Sequence, residues 1–324
     1  MTVLAHETWF TRSTAMDWSF AFEAATLALL GAVLIVTLVV RVLGARHAGV
    51  DIPFLGRMAP WMPFAVRMHL AVSLIGLLSL GYYLSPAMDL EADLAGVALG
   101  AVMVIVAITM ATGWNARAGA ALLVAAGPIG MLEFGISPVL QRADMLGLAC
   151  FVLLTGPGRW SADHELGSAA EPSLEARARA IWALRMAAGT ALIVVAFVEK
   201  LANPDLALRF LDEHPDFNVA QLVGISMSDL EFIRVAGAIE VLFGLLLISG
   251  ALPQAIVLIA GIPFNATLYF FGTTELVGHL PVYAAMLVLL VYGSDPELRP
   301  TTSALWPWSG RAPPAGASER AVPT

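Results

Sequence analysis

The sequence predicts an all-α integral membrane bundle of about nine transmembrane helices, built from two parallel four-helix repeats. Three observations carry that expectation. First, 59% of the 324 residues are hydrophobic and only 13% charged, and mean hydropathy is +0.80. A soluble domain is nearer half apolar and a quarter charged. Second, several apolar runs approach the roughly 20 residues that a helix needs to cross a bilayer. Third, the chain aligns with itself. Ala65–Leu70 (AVRMHL) falls on Ala183–Ala188 (ALRMAA), so Arg67 meets Arg185 and Pro86 meets Pro204. After the next loop a second register pairs Gly100 with Gly237, Gly113 with Gly250, Phe134 with Phe271 and Gly156 with Gly293. The offset grows from 118 to 137, which places 19 extra residues in one loop of the second copy. An even number of spans per copy makes the copies parallel, unlike the inverted repeats of many transporters.

In chain order, residues 1–60 read as an outer, polar and aromatic N-terminal segment plus a first span over about 20–43. Trp9, Phe10 and Trp18 suit the headgroup layer. Residues 61–156 form the first four-helix unit, with spans at about 61–84, 94–112, 118–134 and 144–155. Residues 157–179 read as a soluble connector. Residues 180–293 form the second unit, with spans at about 181–202, 228–249, 253–271 and 279–292. Ser228 and Glu231 have the spacing of a capping box opening its second helix. Residues 294–324, rich in Pro, Ala and Ser, read as a disordered cytoplasmic tail. Orientation follows from the basic residues. With the N-terminus outside and the C-terminus in the cytoplasm, 12 of the 17 arginines and lysines fall on or near the cytoplasmic side and 5 outside, the usual bias of an inner-membrane protein.

Composition also excludes. The single cysteine, Cys150, rules out an internal disulfide and any C-x-x-C site. A net charge of −8 with scattered basic residues is no nucleic-acid surface. Phosphate-cradling loops, H-E-x-x-H and nucleophile elbows do not occur.

The unusual groups concentrate in the second copy. Opposite Glu199, Lys200 and Glu240 the first copy has Gly81, Tyr82 and Met103. An ionisable group at membrane depth is expensive and is a functional candidate by default. Glu240 shares a helix face with Gly237 and Gly244, so a neighbouring helix can pack close and the carboxylate should face the bundle interior. It is a proton carrier, a ligand contact or a buried lock between helices. Lys200, the only lysine, either snorkels to the headgroups or pairs with Glu240. Glu199 is its neighbour, about 100° away on an α-helix. His279 and Tyr283 lie one turn apart, as do Asn265 and Tyr269. His6, Glu240, Glu275 and His279 are all placed to converge on a metal or on quinone oxygens. Two outer histidines can also hold haem, and the bland alternative is histidines capping helix ends.

The pattern R-M-A-A-G followed by E-K-L-x-x-P (residues 185–204) and G-A-I-E-V-L-F-G (residues 237–244) resembles the DoxX family of membrane proteins. The segment L-L-T-G-P-G-R-W-S-A-D (residues 153–163) is similar to that family's C-terminal end. The resemblance covers roughly residues 63–163 and 180–293. It implies a four-helix unit, here duplicated behind a leading helix, and a link to quinone-pool or thiol redox chemistry. On that basis the expected role is a quinone-linked redox or redox-accessory protein. Glu240 would accept protons, Lys200 would be its charge partner and His279 a contact. Glu199, Asn265, Tyr269 and Tyr283 would line the quinone, and His6, His279 and Glu275 would be metal candidates. Expected partners are the bilayer, quinone and a soluble or membrane redox protein. A binding or transport protein for a small amphipathic molecule, or a structural subunit docking a soluble partner, are the rival classes.

Overall fold

The computed structural model describes residues 16–44, 49–271 and 274–307, without the side chains of residues 269–275. Among them the ordered elements are helices: α1 (Ala24–Gly44), α2 (Met62–Ser79), α3 (Leu94–Thr112), α4 (Ala116–Phe134), α5 (Ala143–Thr155), α6 (Leu174–Ala196), α7 (Pro204–Glu213), α8 (Asp229–Ser249), α9 (Pro253–Phe271) and α10 (Thr274–Ser294), with short turns between. Helices therefore stand at all nine expected span positions. Seven helical runs are long and apolar enough to cross a membrane: α1, Pro53–Ser79, α3, α4, Leu174–Leu201, α8 and Leu276–Ser294. This makes the chain a multi-pass helical membrane protein. The other two, α5 and Pro253–Leu268, are apolar but shorter. Segment 135–155 is split because Gly135 (φ 89°) and Arg142 (φ −111°) leave helical geometry on either side of Ile136–Gln141.

Two expected boundaries move. Ser173 accepts a hydrogen bond from the N–H of Ala176 (3.1 Å) and so caps α6 at Leu174, inside the expected connector. The Ala-rich stretch before Ile181 is the first two turns of a long helix. Nor is the chain after Ser294 without structure. Arg299–Thr302 is a helical turn, and the carbonyls of Thr302, Ser303 and Ala304 accept from Arg185, Arg41 and Arg185 respectively. Residues 308–324 lie outside the described residues.

Helix packing follows a reciprocal pattern. Helices α2, α3, α4 and α5 pack in a ring, and the first helix of each expected unit lies against the last helix of the other: α2 against α10, and α6 against α5. Such mutual exchange is what a two-fold relation between two similar units produces. The leading helix α1 packs against α8. Large side chains fill the centre, among them Leu70, Leu74, Met103, Met110, Phe151 and Tyr292, all essentially inaccessible.

The same device closes one end of the bundle twice. Arg67 of α2 is fully buried and donates to the carbonyls of Met110 (2.6 Å), Pro157 (2.8 Å) and Trp160 (2.9 Å). Arg185 of α6, equally buried, donates to Thr302 (2.7 Å) and Ala304 (2.6 Å). Each guanidinium presses on a glycine that ends a helix in the left-handed region, Gly113 (φ 68°) after α3 and Gly250 (φ 71°) after α8. A β-carbon at either glycine would overlap the arginine, so both positions need glycine for conformation and for space.

Candidate functional site

At the opposite end of the second half, α6 does not stop as an α-helix. Phe197–Leu201 is a π-helical turn, closed by the N–H of Ala202 donating to the carbonyl of Phe197 five residues back (2.7 Å). The chain then reverses through Asn203 into α7, where Pro204, lacking an N–H, occupies the first turn. A π turn carries one residue more than an α turn, and it re-aims the side chains within it.

That local change assembles the site. Lys200 Nζ lies 3.0 Å from Glu240 Oε1 and 3.5 Å from Glu199 Oε2. Side-chain exposure is 14% for Lys200, 12% for Glu199 and 29% for Glu240. Glu199 and Lys200 follow one another on the turn, yet their long side chains bring the charged ends into one cluster. Lys200 is accordingly an ion-pair centre and not a snorkelling side chain. Glu240 Oε2 is buried and accepts no hydrogen bond among the described residues. Fully ionised, the cluster carries two negative charges against one positive, so one added proton or cation makes it neutral.

Glycines bring the two helices to that distance. A β-carbon on Gly237 would sit 2.8 Å from Leu201, the last residue of the π turn. One turn beyond Glu240, a β-carbon on Gly244 would sit 2.7 Å from the Gly189 carbonyl and 2.6 Å from Ile193. The backbones of α6 and α8 thus touch at Gly189 and Gly244, as small residues permit in membrane helix pairs. Gly244→Ala must push the helices apart, because one of the obstructing atoms is backbone. We expect a loss of about 1–3 kcal/mol, read as a lower melting temperature in detergent. Gly31→Ala on α1, where no atom lies within 4 Å of the new carbon, serves as the neutral control.

The cluster is covered from two sides. Helix α7 turns Leu206, Ala207, Phe210 and Leu211 inward, where they join Leu201, Ile233, Ala238 and Val241 in one apolar core. The segment before α1 closes the other side. The N–H of Asp17 donates to the carbonyl of Ala202 (2.9 Å), and Trp18 stacks on Phe197 at 6.0 Å. Arg234 of α8 pairs with Glu23, donates to Thr26 Oγ1 (3.0 Å) and lies over the Phe20 ring. Asp17, in water beyond the helices, is held below the usual carboxylate range by hydrogen bonds from Ser19.

The other expected site residues form a second group, held by α9 and α10. His279 is buried; its Nδ1 lies 3.4 Å from Thr267 Oγ1 and its ring meets Phe264 edge-on at 5.2 Å. Tyr283 donates to the carbonyl of Phe264 (3.1 Å) and Asn265 Nδ2 to that of Gly261 (2.7 Å). The contacts of His279, Tyr283 and Asn265 described here lie within α9 and α10, while those of Lys200, Glu199 and Glu240 lie between the end of α6 and α8. His6 lies outside the described residues, as do the side chains of Tyr269 and Glu275. Among the described residues no three His, Cys, Asp or Glu side chains come together as metal ligands.

Glu133, Arg142 and Asp144 lie close together in the sequence. Arg142 and Asp144 are buried, 3.9 Å apart, and Arg142 Nη2 donates to the carbonyl of Gly278 (3.1 Å), the residue before His279. Glu133 is exposed on α4. What the residues alone did not signal is the contact of Arg142 with α10; the one clue was the alignment, which sets Arg142 opposite His279. Contact between nearly equivalent positions is possible only close to the axis relating two units.

No family model matches the chain, and neither a curated protein nor a solved structure matches it.

Proposed function

We propose that this is a quinone-pool-linked redox or redox-accessory protein of the DoxX type. It would lie in the inner membrane with its N-terminus outside and its site at the outer end of the second unit. One observation carries the reading: an ammonium donor, Lys200, stands beside a buried carboxylate oxygen, Glu240 Oε2, that accepts no hydrogen bond among the described residues. A quinol head group asks for that combination, a donor to its oxygen and a base for its proton. In this reading Glu240 takes the hydroxyl proton, Lys200 holds the charge that develops on oxygen, and Glu199 is the second carboxylate through which a proton leaves. The electrons pass to a soluble or membrane redox partner.

The test is purification in mild detergent followed by quinone extraction, an optical spectrum and quinol oxidation with an artificial acceptor. We expect quinone to co-purify, and Glu240→Gln to lower the turnover about 100-fold or more, the usual contribution of a positioned base. Absence of both quinone and quinol reactivity would overturn the reading. A second reading, a binding or transport protein for a lipid-like molecule, is favoured by the groove between α9 and α10.

A further inference from the structure

We propose that the groove between α9 and α10 binds a neutral long-chain lipid through its hydroxyl group. The groove measures about 550 Å³, and Val257, Gly261, Asn265, Tyr283, Leu287 and Leu290 are among its lining residues. That size falls within the range of small-molecule sites. The two helices run antiparallel, since Phe264 meets Tyr283 while Thr267 meets His279. Asn265 and Tyr283 therefore stand together at one end. From them the walls run apolar to Val257 on α9 and Leu290 on α10, a length of roughly 10–12 Å at helical rise.

The chemistry of the polar end selects the head group. Asn265 is exposed on α9, whose apolar run Pro253–Leu268 is shorter than a full span. Its Nδ2 donates to the Gly261 carbonyl, which can only accept, so the amide orientation is fixed by chemistry. Its Oδ1 is left as an acceptor to which nothing among the described residues donates. Tyr283 has committed its proton to the Phe264 carbonyl. An amide acceptor on an otherwise apolar wall is costly unless something meets it. A hydroxyl does so, donating to Oδ1 while accepting from the second N–H of the same amide. Leu258, Ile262 and Met286 also line the groove, and among the described residues no charged side chain does, which disfavours an ionised carboxylate or phosphate. Neither Lys200 nor Glu240 lines it, so this inference stands apart from the redox reading.

The experiment uses the full chain in phosphatidylcholine nanodiscs and three diazirine-bearing probes: hexadecanol, its methyl ether and hexadecanoic acid. Labelled peptides are mapped by mass spectrometry. Residues 257–290 should take the alcohol about fivefold more than the ether, the difference that one hydrogen bond makes, and more than the acid. Asn265→Leu should reduce alcohol labelling to the ether level. Gly261→Leu should abolish it by filling the groove, and its β-carbon finds room there, the nearest atom being Asn265 Nδ2 at 3.9 Å. Equal labelling by alcohol and ether would mean ordinary boundary lipid and overturn the proposal. So would labelling undiminished in Asn265→Leu, or a crosslink joining α9 of two copies, which would make the groove a chain–chain contact.

Discussion

Lys200→Met is expected to destabilise the protein by about 3 kcal/mol, the cost of removing one partner from a largely buried ion pair. The reason is what it leaves behind. Glu199 and Glu240 now share Lys200 at 3.5 and 3.0 Å; without it two carboxylates face each other with little water to separate them. Removing the second charge should restore much of the loss. Lys200→Met with Glu240→Gln is therefore expected to be more stable than Lys200→Met alone, and the double-mutant cycle isolates the pair. Lys200→Arg keeps the charge but needs a planar, larger head in a space formed around a compact ammonium, so it should fall between. The measurement is thermal unfolding in one detergent at fixed pH. If the single and double variants melt together, the three residues do not form one electrostatic unit.

The fold was largely legible because it is carried by periodic and repeated features. Runs of apolar residues located the helices, seven of them long enough to span among the described residues. The paired positions Arg67 with Arg185 and Gly113 with Gly250 anticipated a device that occurs twice in space, since buried guanidinium and left-handed glycine depend on backbone geometry that both halves share. Helix length was less legible. Gly135 and Arg142 break the fifth apolar stretch by local backbone conformation, while Ser173 extends the sixth helix by capping it earlier than hydropathy alone places it.

The site was half legible. Lys200 and Glu240 stood out as charges in apolar runs, and glycine spacing correctly turned Glu240 toward a neighbouring helix. Glu199 joins them through its contact with Lys200, because helical periodicity reports where a side chain starts and not how far a long one reaches. His279 was placed with them from its depth along a helix; its described contacts are with α9, and α10 packs against α2, α5, α6 and α9.

Arg67→Met is the second large effect expected, a loss of about 3–5 kcal/mol, and Arg185→Met should cost less. Both arginines are fully buried and donate to backbone carbonyls, among them the buried ones of Pro157, Met110 and Thr302. Methionine fills much of the volume but donates nothing, so the buried carbonyls it abandons keep their desolvation cost. Arg67 holds three such carbonyls from two separate segments, α3 and the 157–160 turn. Arg185 holds two, both in the 302–304 turn, and its Nε has no partner among the described residues. Arg41 also donates to that turn, at Ser303 (2.8 Å), so the second closure survives in part where the first does not. The order Arg67→Met below Arg185→Met below wild type in melting temperature is the expected result. Equal losses would mean that the two halves depend on their arginines for charge alone, and not for the number of carbonyls each one satisfies.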